Sequence, residues 1–312
     1  MIRTKLCDLV GIDYPIFQGG MAWVATAELA IAVSEAGGLG IVGAGQAPAE
    51  VVRAEIRKVK AATRRPFGVN VMLRSPHAQA VMEVVAAERV QVVTTGAGNP
   101  GVFMPMLKAS GTKVFPVVAS VALAKRLSRL GIDGIVAEGM ESGGHVGELT
   151  TMALVPQIVD AVDLPVVAAG GIADGRGLVA ALALGAAGVQ IGTRFVCAAE
   201  CTAHPAYKQA ILDARDRSTV VTGRPTGHPV RVIENRLARQ FLQMEAEGAP
   251  PEEMEKLGVG KLRAAVVDGD VRSGSVMAGQ VAAMVNKIQP AREIIQEIMI
   301  QAGQVLKHLQ TF

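Results

Sequence analysis

Residues 165–195, PVVAAGGIADGRGLVAALALGAAGVQIGTRF, hold a strand, a glycine turn, a helix, a second strand and a second glycine turn. Pro165 to Ala169 is a short valine-rich run ending in Gly170-Gly171, the pattern of a parallel strand buried on both faces and leaving into a turn. Asp174 is placed to cap a helix carrying Leu178, Val179, Leu182 and Leu184, which closes near Gly185. Gly188 to Ile191 is a second buried strand, and Gly192-Thr193 follows it at the same sheet edge. Two consecutive strands thus deliver glycine turns to one place. With no Cβ in the way, backbone N–H groups there can approach a phosphate closely, and the Thr193 hydroxyl adds a donor. Neither turn is a P-loop or a GxGxxG fingerprint. In a (β/α)8 barrel the phosphate site commonly follows the seventh and eighth strands, so the stretch fits the last quarter of such a barrel.

Upstream, short apolar runs alternate with amphipathic segments. Strands are expected at 14–18, 39–42, 67–73, 90–94, 113–118 and 134–137, with helices at 25–35, 48–62, 76–87, 102–109, 121–130 and 151–162. Together with the opening stretch this makes eight βα repeats, and the count favours closure into a TIM barrel over an open doubly wound sheet. After Phe195 the pattern changes. Residues 200–265 are more charged and are expected to form an inserted, mainly helical lid or substrate lobe. Residues 1–199 form the main part of the barrel, and 266–312 return to it with the linker GDVRSGSVMAGQ (269–280) and C-terminal helices.

With 312 residues, half of them hydrophobic, the chain can bury a large core. The uncharged part of 177–193 is interrupted by Gly185 and Gly188 and is shorter than the ~20 residues a membrane span needs. The first 15 residues lack the apolar core of a secretory signal. Three cysteines, an odd number, argue against a disulfide framework and for a reducing cytoplasm. Cys197, Cys201 and His204 lack an evident fourth ligand, so no metal site is expected. A net charge of +3 and 3% aromatic residues do not suit nucleic-acid binding. The basic segments 53–65 and 215–239 are interleaved with acids or apolar residues and read as solvated faces, either of which could meet an acidic partner.

Catalytic groups of this fold sit at the C-terminal ends of the barrel strands. Here those ends carry Gln18-Gly19-Gly20-Met21-Ala22-Trp23, Asn70, Thr94 to Asn99, and Glu138 to His145. Amides, hydroxyls, small residues and methionine suit a flat, hydrogen-bonding heterocycle better than a metal. A phosphate joined to a planar ring with amide-type edges is what flavin mononucleotide (FMN) presents; sugar phosphates would use the same turns. The near absence of strand-end carboxylates and lysines disfavours aldol or enolisation chemistry. Glu138, with Glu141 nearby, stands almost alone. His145 shares a strand end with Glu138 at the mouth of this site, which points to proton handling. His228, in TGHPVR, reads as structural or lid-positioning.

The segments IFQGGMAW (16–23), GGLGIVGAG (37–45), PFGVNVML (66–73), TTGAGNP (94–100), EGMESGGHVGELTTM (138–152), AAGGIADGRG (168–177), GVQIGTRF (188–195) and GSVMAGQ (274–280) are specific in their joint order. Together they resemble the flavin-dependent, type II enoyl-(acyl carrier protein) reductases of bacterial fatty acid synthesis, which are related to nitronate monooxygenases. The resemblance implies an FMN barrel with a lid, NAD(P)H as reductant, and a trans-2-enoyl thioester on acyl carrier protein as acceptor. It further implies a homodimer and activation by a monovalent cation. By motif, Gly170, Gly171, Gly192 and Thr193 would hold the FMN phosphate. Gly20, Met21, Ala22, Asn70, Glu138 and Gln190 would line the ring and ribityl chain. His145 would lie near the reacting edge, and Ser275, Met277 and Gln280 would approach from the returning segment. Ala119 stands where the family leads one to expect proline, and Arg74 and His77 occupy a mouth loop expected to be more apolar. The competing readings are a nitronate monooxygenase using oxygen, a flavin-free sugar-phosphate isomerase or lyase, and a catalytically silent phosphate-ligand sensor.

Overall fold

The computed structural model describes residues 2–311. Eight parallel strands lie in the order β1-β9-β8-β6-β5-β4-β3-β2. They are β1 (Ile16–Gln18), β2 (Gly40–Gly45), β3 (Phe67–Met72), β4 (Val92–Gly96), β5 (Lys113–Val118), β6 (Ile135–Glu138), β8 (Val166–Ala169) and β9 (Gly188–Ile191); β7 (Gly144–His145) lies outside the barrel. The ring closes between β1 and β2, where the Gln18 N–H donates to the Leu39 carbonyl and the Leu39 N–H to that of Ile16, each at 2.9 Å. This is the expected (β/α)8 barrel.

Side chains alternate inward and outward along each strand. The inward set, Phe17, Ile41, Val92, Phe115, Val136, Val167 and Ala169, forms a small inner core, with Phe17 and Phe115 edge to face at 5.5 Å. An N-terminal helix, Lys5–Val10, closes the lower end with Leu6, Cys7 and Val10. The outward set packs under the surrounding helices in a much larger core. Each fully buried aliphatic or aromatic side chain there contributes about 1.5–3 kcal/mol. The helix Ala291–Leu309 turns Ile294, Ile295, Ile298 and Ala302 inward, and Gln301 Oε1 accepts from the Gly175 N–H at 2.8 Å, seating it against the helix Gly175–Ala183 as the barrel's last helix.

The inserted segment is less uniformly helical than its charge pattern suggests. Besides the helices Pro205–Leu212, Arg236–Ala246, Pro251–Gly258 and Lys261–Val266, it contains a hairpin of β10 (Thr219–Thr222) and β11 (Val230–Ile233). TVVT and VRVI are β-branched runs joined by a turn rich in glycine and proline, a hairpin signal hidden by the surrounding charge. β7 adds to this hairpin as a third, antiparallel strand, with His145 opposite Val230.

Candidate active site

The strand registers place the functional side chains in one layer. Glu138 lies beside Ala169, Ala169 beside Gln190, and Gln190 beside Phe17; across the barrel Gly43 lies beside Asn70, and Asn70 beside Thr94. Alternation turns Glu138, Gln190, Asn70 and Thr94 into the lumen just above the inner apolar core. Asn70 Nδ2 donates to Thr94 Oγ1 at 2.9 Å, fixing the amide. A Cβ on Gly20 would fall 2.1 Å from Asn70 Cβ, so the chain after β1 crosses Asn70 at a distance only glycine permits. Met21 and Ala22 follow directly, with Met21 Sδ facing Gly192.

Gln190 is 9% exposed and its Oε1 has no hydrogen-bond partner. A buried acceptor left open in the lumen signals a missing donor, and a flavin ring edge supplies one. Gly170 and Gly171 have φ of +90° and +70°, conformations that other residues adopt only with strain, and these bend the chain after β8 across the barrel end. Gly192 and Thr193 occupy the exit of β9. Thr193 Oγ1 already accepts from the Gly279 N–H at 2.9 Å, leaving its own proton to donate. The glycine cradle, the open Gln190 acceptor and the polar lumen all fit FMN.

The Glu138 carboxyl is pushed up to about 7 by burial. Glu141 acts structurally instead. Its carboxylate accepts from the Thr151 N–H at 3.0 Å and from the Thr151 hydroxyl at 3.0 Å, capping the helix Thr151–Val159. His145 stands at the rim with an exposed side chain, and its imidazole is held below the ordinary histidine range first by the desolvation of its crowded inner face, then by the nearby His228 and Arg74. The returning segment crosses this region. The Tyr207 hydroxyl donates to the Met277 carbonyl at 2.8 Å, Met277 Sδ would lie 3.5 Å from a Cβ on Gly144, and the Gln280 N–H donates to the Glu141 carbonyl at 2.9 Å. Ser275 is tied by its N–H to the Lys261 carbonyl at 2.9 Å.

Two contributors were not singled out from sequence. Tyr207 and Arg231 lie in the charged insertion, and only their partners, Met277 and Met140, reveal them. Arg231, 4% exposed, donates through Nε to the Met140 carbonyl at 3.0 Å and through Nη1 to Thr219 Oγ1 at 3.1 Å, tying the hairpin to the loop that carries His145. Arg74 was visible only as an oddity of the mouth loop. His204 caps its own helix, Nδ1 accepting from the Ala206 N–H at 3.1 Å, while Cys197 and Cys201 are buried free thiols. Among the described residues no group of three histidine, cysteine or acidic side chains could hold a metal ion, and no helix is long and apolar enough to cross a membrane.

The family model for nitronate monooxygenase matches residues 3–82 and 77–301, nearly the whole chain. The chain belongs to the nitronate monooxygenase family. It is similar to the solved structure of FabK from Thermotoga maritima, with 49% identity, a TM-score of 0.97, and coverage of 100% of this chain and 99% of that one. Among curated proteins it is 35% identical to a (3aS,4S,5R,7aS)-5-hydroxy-7a-methyl-1-oxo-octahydro-1H-indene-4-carboxyl-CoA dehydrogenase of Mycobacterium tuberculosis, covering 99% of this chain and 98% of the relative. It is 31% identical to a probable nitronate monooxygenase of Staphylococcus aureus, covering 98% and 99%. Membership in the nitronate monooxygenase family, which is FMN-dependent, makes this chain a flavin-dependent oxidoreductase.

Proposed function

We propose that this chain is an FMN-dependent enoyl-(acyl carrier protein) reductase that uses NAD(P)H to saturate trans-2-enoyl thioesters. The observation that carries the reading is the likeness to FabK over the full length at 49% identity, against 31% for the nitronate monooxygenase relative. FMN, when bound, would supply the two-electron chemistry that links the nicotinamide to the thioester β-carbon.

The chain's own residues do the rest. Gly170, Gly171, Gly192 and Thr193 hold the phosphate through backbone N–H groups and the threonine hydroxyl. Gly20, Met21, Ala22, Asn70 and Gln190 seat the ring and ribityl chain, and Ser275, Met277 and Gln280 cover it from the returning segment. His145, neutral at pH 7, donates an N–H to the thioester carbonyl and so stabilises charge developing there. Glu138, close to half-protonated at neutral pH, is the group placed to manage the proton bound for the α-carbon. Residues 200–265 act as the substrate lid over a barrel built from 1–199 and completed by 266–312. A homodimer, a monovalent-cation requirement and a cytoplasmic setting complete the reading and rest on the family resemblance.

A second reading is favoured by one observation. A neutral His145 with a lowered proton affinity remains available as a base at mildly acidic pH, as nitronate oxidation with oxygen would use it. An anaerobic visible spectrum separates the two. Flavin colour that bleaches with NAD(P)H and returns with a trans-2-enoyl thioester supports the reductase; colour that returns only with air, alongside turnover of a nitronate, would replace it with the monooxygenase.

A further inference from the structure

The mouth of the barrel carries a cluster that the flavin site does not absorb. Arg74 follows β3 at the C-terminal, catalytic end of the barrel, and its Nη1 lies 2.8 Å from Nε2 and 3.3 Å from Nδ1 of His228. His228 belongs to the hairpin turn between β10 and β11, two residues before Val230, the register partner of His145. A loop of the barrel, the turn of the hairpin and β7 therefore converge on one point of the rim. Arg74 and His228 are exposed, and Arg74 forms no ion pair among the described residues. Elsewhere the pattern is different. Arg53, Arg57 and Lys60 all pair with Glu88, and Arg65 pairs with Asp13. Glu88 precedes β4, which puts that basic face at the opposite end of the barrel from the site.

A guanidinium without a carboxylate partner, set against an imidazole that can also donate, matches the oxygens of a phosphate group. Its position fits what enters here. On the reading above, both reaction partners carry phosphate at a distance from the reacting atoms: the nicotinamide nucleotide on its ribose and diphosphate, the thioester on its pantetheine arm. A subsite at the rim would hold either one by its remote anion while the apolar end reaches the flavin, using binding energy away from the chemistry.

We propose that Arg74 and His228 form a phosphate-binding subsite at the junction of barrel rim and lid, which selects a phosphate-bearing reaction partner. The inference rests on the proposed reductase function for the identity of that partner, and on Arg74 and His228 alone for the subsite.

The test uses the FMN-loaded full chain and its Arg74→Met and His228→Asn variants. Titration with NADP+, NAD+ and unacylated coenzyme A measures binding directly. Turnover is then compared for one enoyl group carried on coenzyme A and on N-acetylcysteamine, which has no phosphate. Arg74→Met is expected to weaken at least one phosphate ligand about tenfold, with a smaller effect from His228→Asn. A loss confined to NADP+ assigns the ribose phosphate. A loss for both nucleotides assigns their diphosphate. A loss for coenzyme A, with collapse of the KM advantage of its thioester over the N-acetylcysteamine thioester, assigns the pantetheine side. Unchanged affinity for all three ligands in both variants overturns the proposal. Failure of the wild-type chain to reduce either thioester overturns the reductase reading instead, and the binding titrations still decide the subsite.

Discussion

The Thr193 hydroxyl, at the exit of β9, accepts the backbone N–H of Gly279 at 2.9 Å, so that one side chain joins the turn after β9 to the segment returning from the insertion. Both groups are buried, and removing the acceptor strands the Gly279 N–H. Thr193→Val should cost about 1–3 kcal/mol of stability and also weaken FMN. Thr193→Ser should restore most of both. Fluorescence titration of the flavin-free protein measures the FMN loss, and equal affinity in wild type and Thr193→Val would remove the hydroxyl from the phosphate site.

Glu138 makes stability depend on pH. Its carboxyl sits at about 7 in the folded chain against 4.5 for an ordinary glutamate. Between those values the folded state holds a proton that the unfolded state has released, so stability falls as pH rises through this window. The loss is complete above pH 7 and has an upper bound of roughly 3 kcal/mol. Glu138→Gln should flatten the window in flavin-free protein and make the variant the more stable of the two at pH 8. Denaturant midpoints at pH 5 and pH 8 check this; parallel pH dependence in both proteins would contradict it.

His145 shifts the other way. Partial desolvation at the crowded rim, then His228 and Arg74, disfavour its charged form, so the neutral imidazole persists below the ordinary histidine value. If the neutral ring is the working form, the acid limb of the thioester half-reaction lies below pH 6.5. Arg74→Met removes one of the opposing charges and should move that limb upward. His145→Ala should abolish the limb and slow the half-reaction by 10²-fold or more, on the order expected for a group that polarises the reacting carbonyl. A steady-state rate unchanged by His145→Ala would end its assignment.

Gly20 and Gly96 form a matched pair. A Cβ at Gly20 meets Asn70 Cβ at 2.1 Å, whereas one at Gly96 meets nothing within 4 Å. Gly20→Ala should displace Asn70, break its bond to Thr94 and lower FMN affinity at least tenfold. Gly96→Ala should bind FMN like the wild type. Thermal melts with and without FMN separate the loss of cofactor from a general loss of folding.

The barrel was legible because parallel strands buried on both faces write themselves as continuous apolar runs, and glycine turns punctuate them. Val166 to Ala169 and Gly188 to Ile191 are found within a residue of where the sequence puts them. Strand ends shifted more where residues other than large apolar ones continue the ladder: β4 runs on to Gly96 through Thr94 and Thr95, and β2 to Gly45 through Gly43 and Ala44. The hairpin in the insertion was missed because the surrounding charge hides its short β-branched strands, and its third strand comes from two residues far upstream. No local pattern encodes such a pairing. The same holds for Glu141. Three residues after Glu138, it reads from sequence as a second strand-end carboxylate, and only the position of Thr151 shows it to be a helix cap.

Arg231 is where the hairpin of the insertion meets the loop that carries His145. It is almost fully buried and forms no ion pair among the described residues; desolvation outweighs the attraction of nearby Glu141 and lowers its proton affinity. What it gains is the Met140 carbonyl on one side and Thr219 on the other, while its backbone stands opposite Gly144 in the three-stranded sheet. Arg231→Met fills the space and removes the desolvation cost, so global stability should change by less than about 1–2 kcal/mol. The loop from 139 to 145, however, loses its tether to the hairpin. His145 should then be less well positioned, and the thioester half-reaction should slow while bleaching by NAD(P)H is kept. Arg231→Lys retains the charge but not the two-pronged geometry and should rescue little. If both half-reactions slow equally in Arg231→Met, the arginine supports the fold as a whole. If only the thioester step suffers, Arg231 is the positioning residue that sets His145 against its substrate.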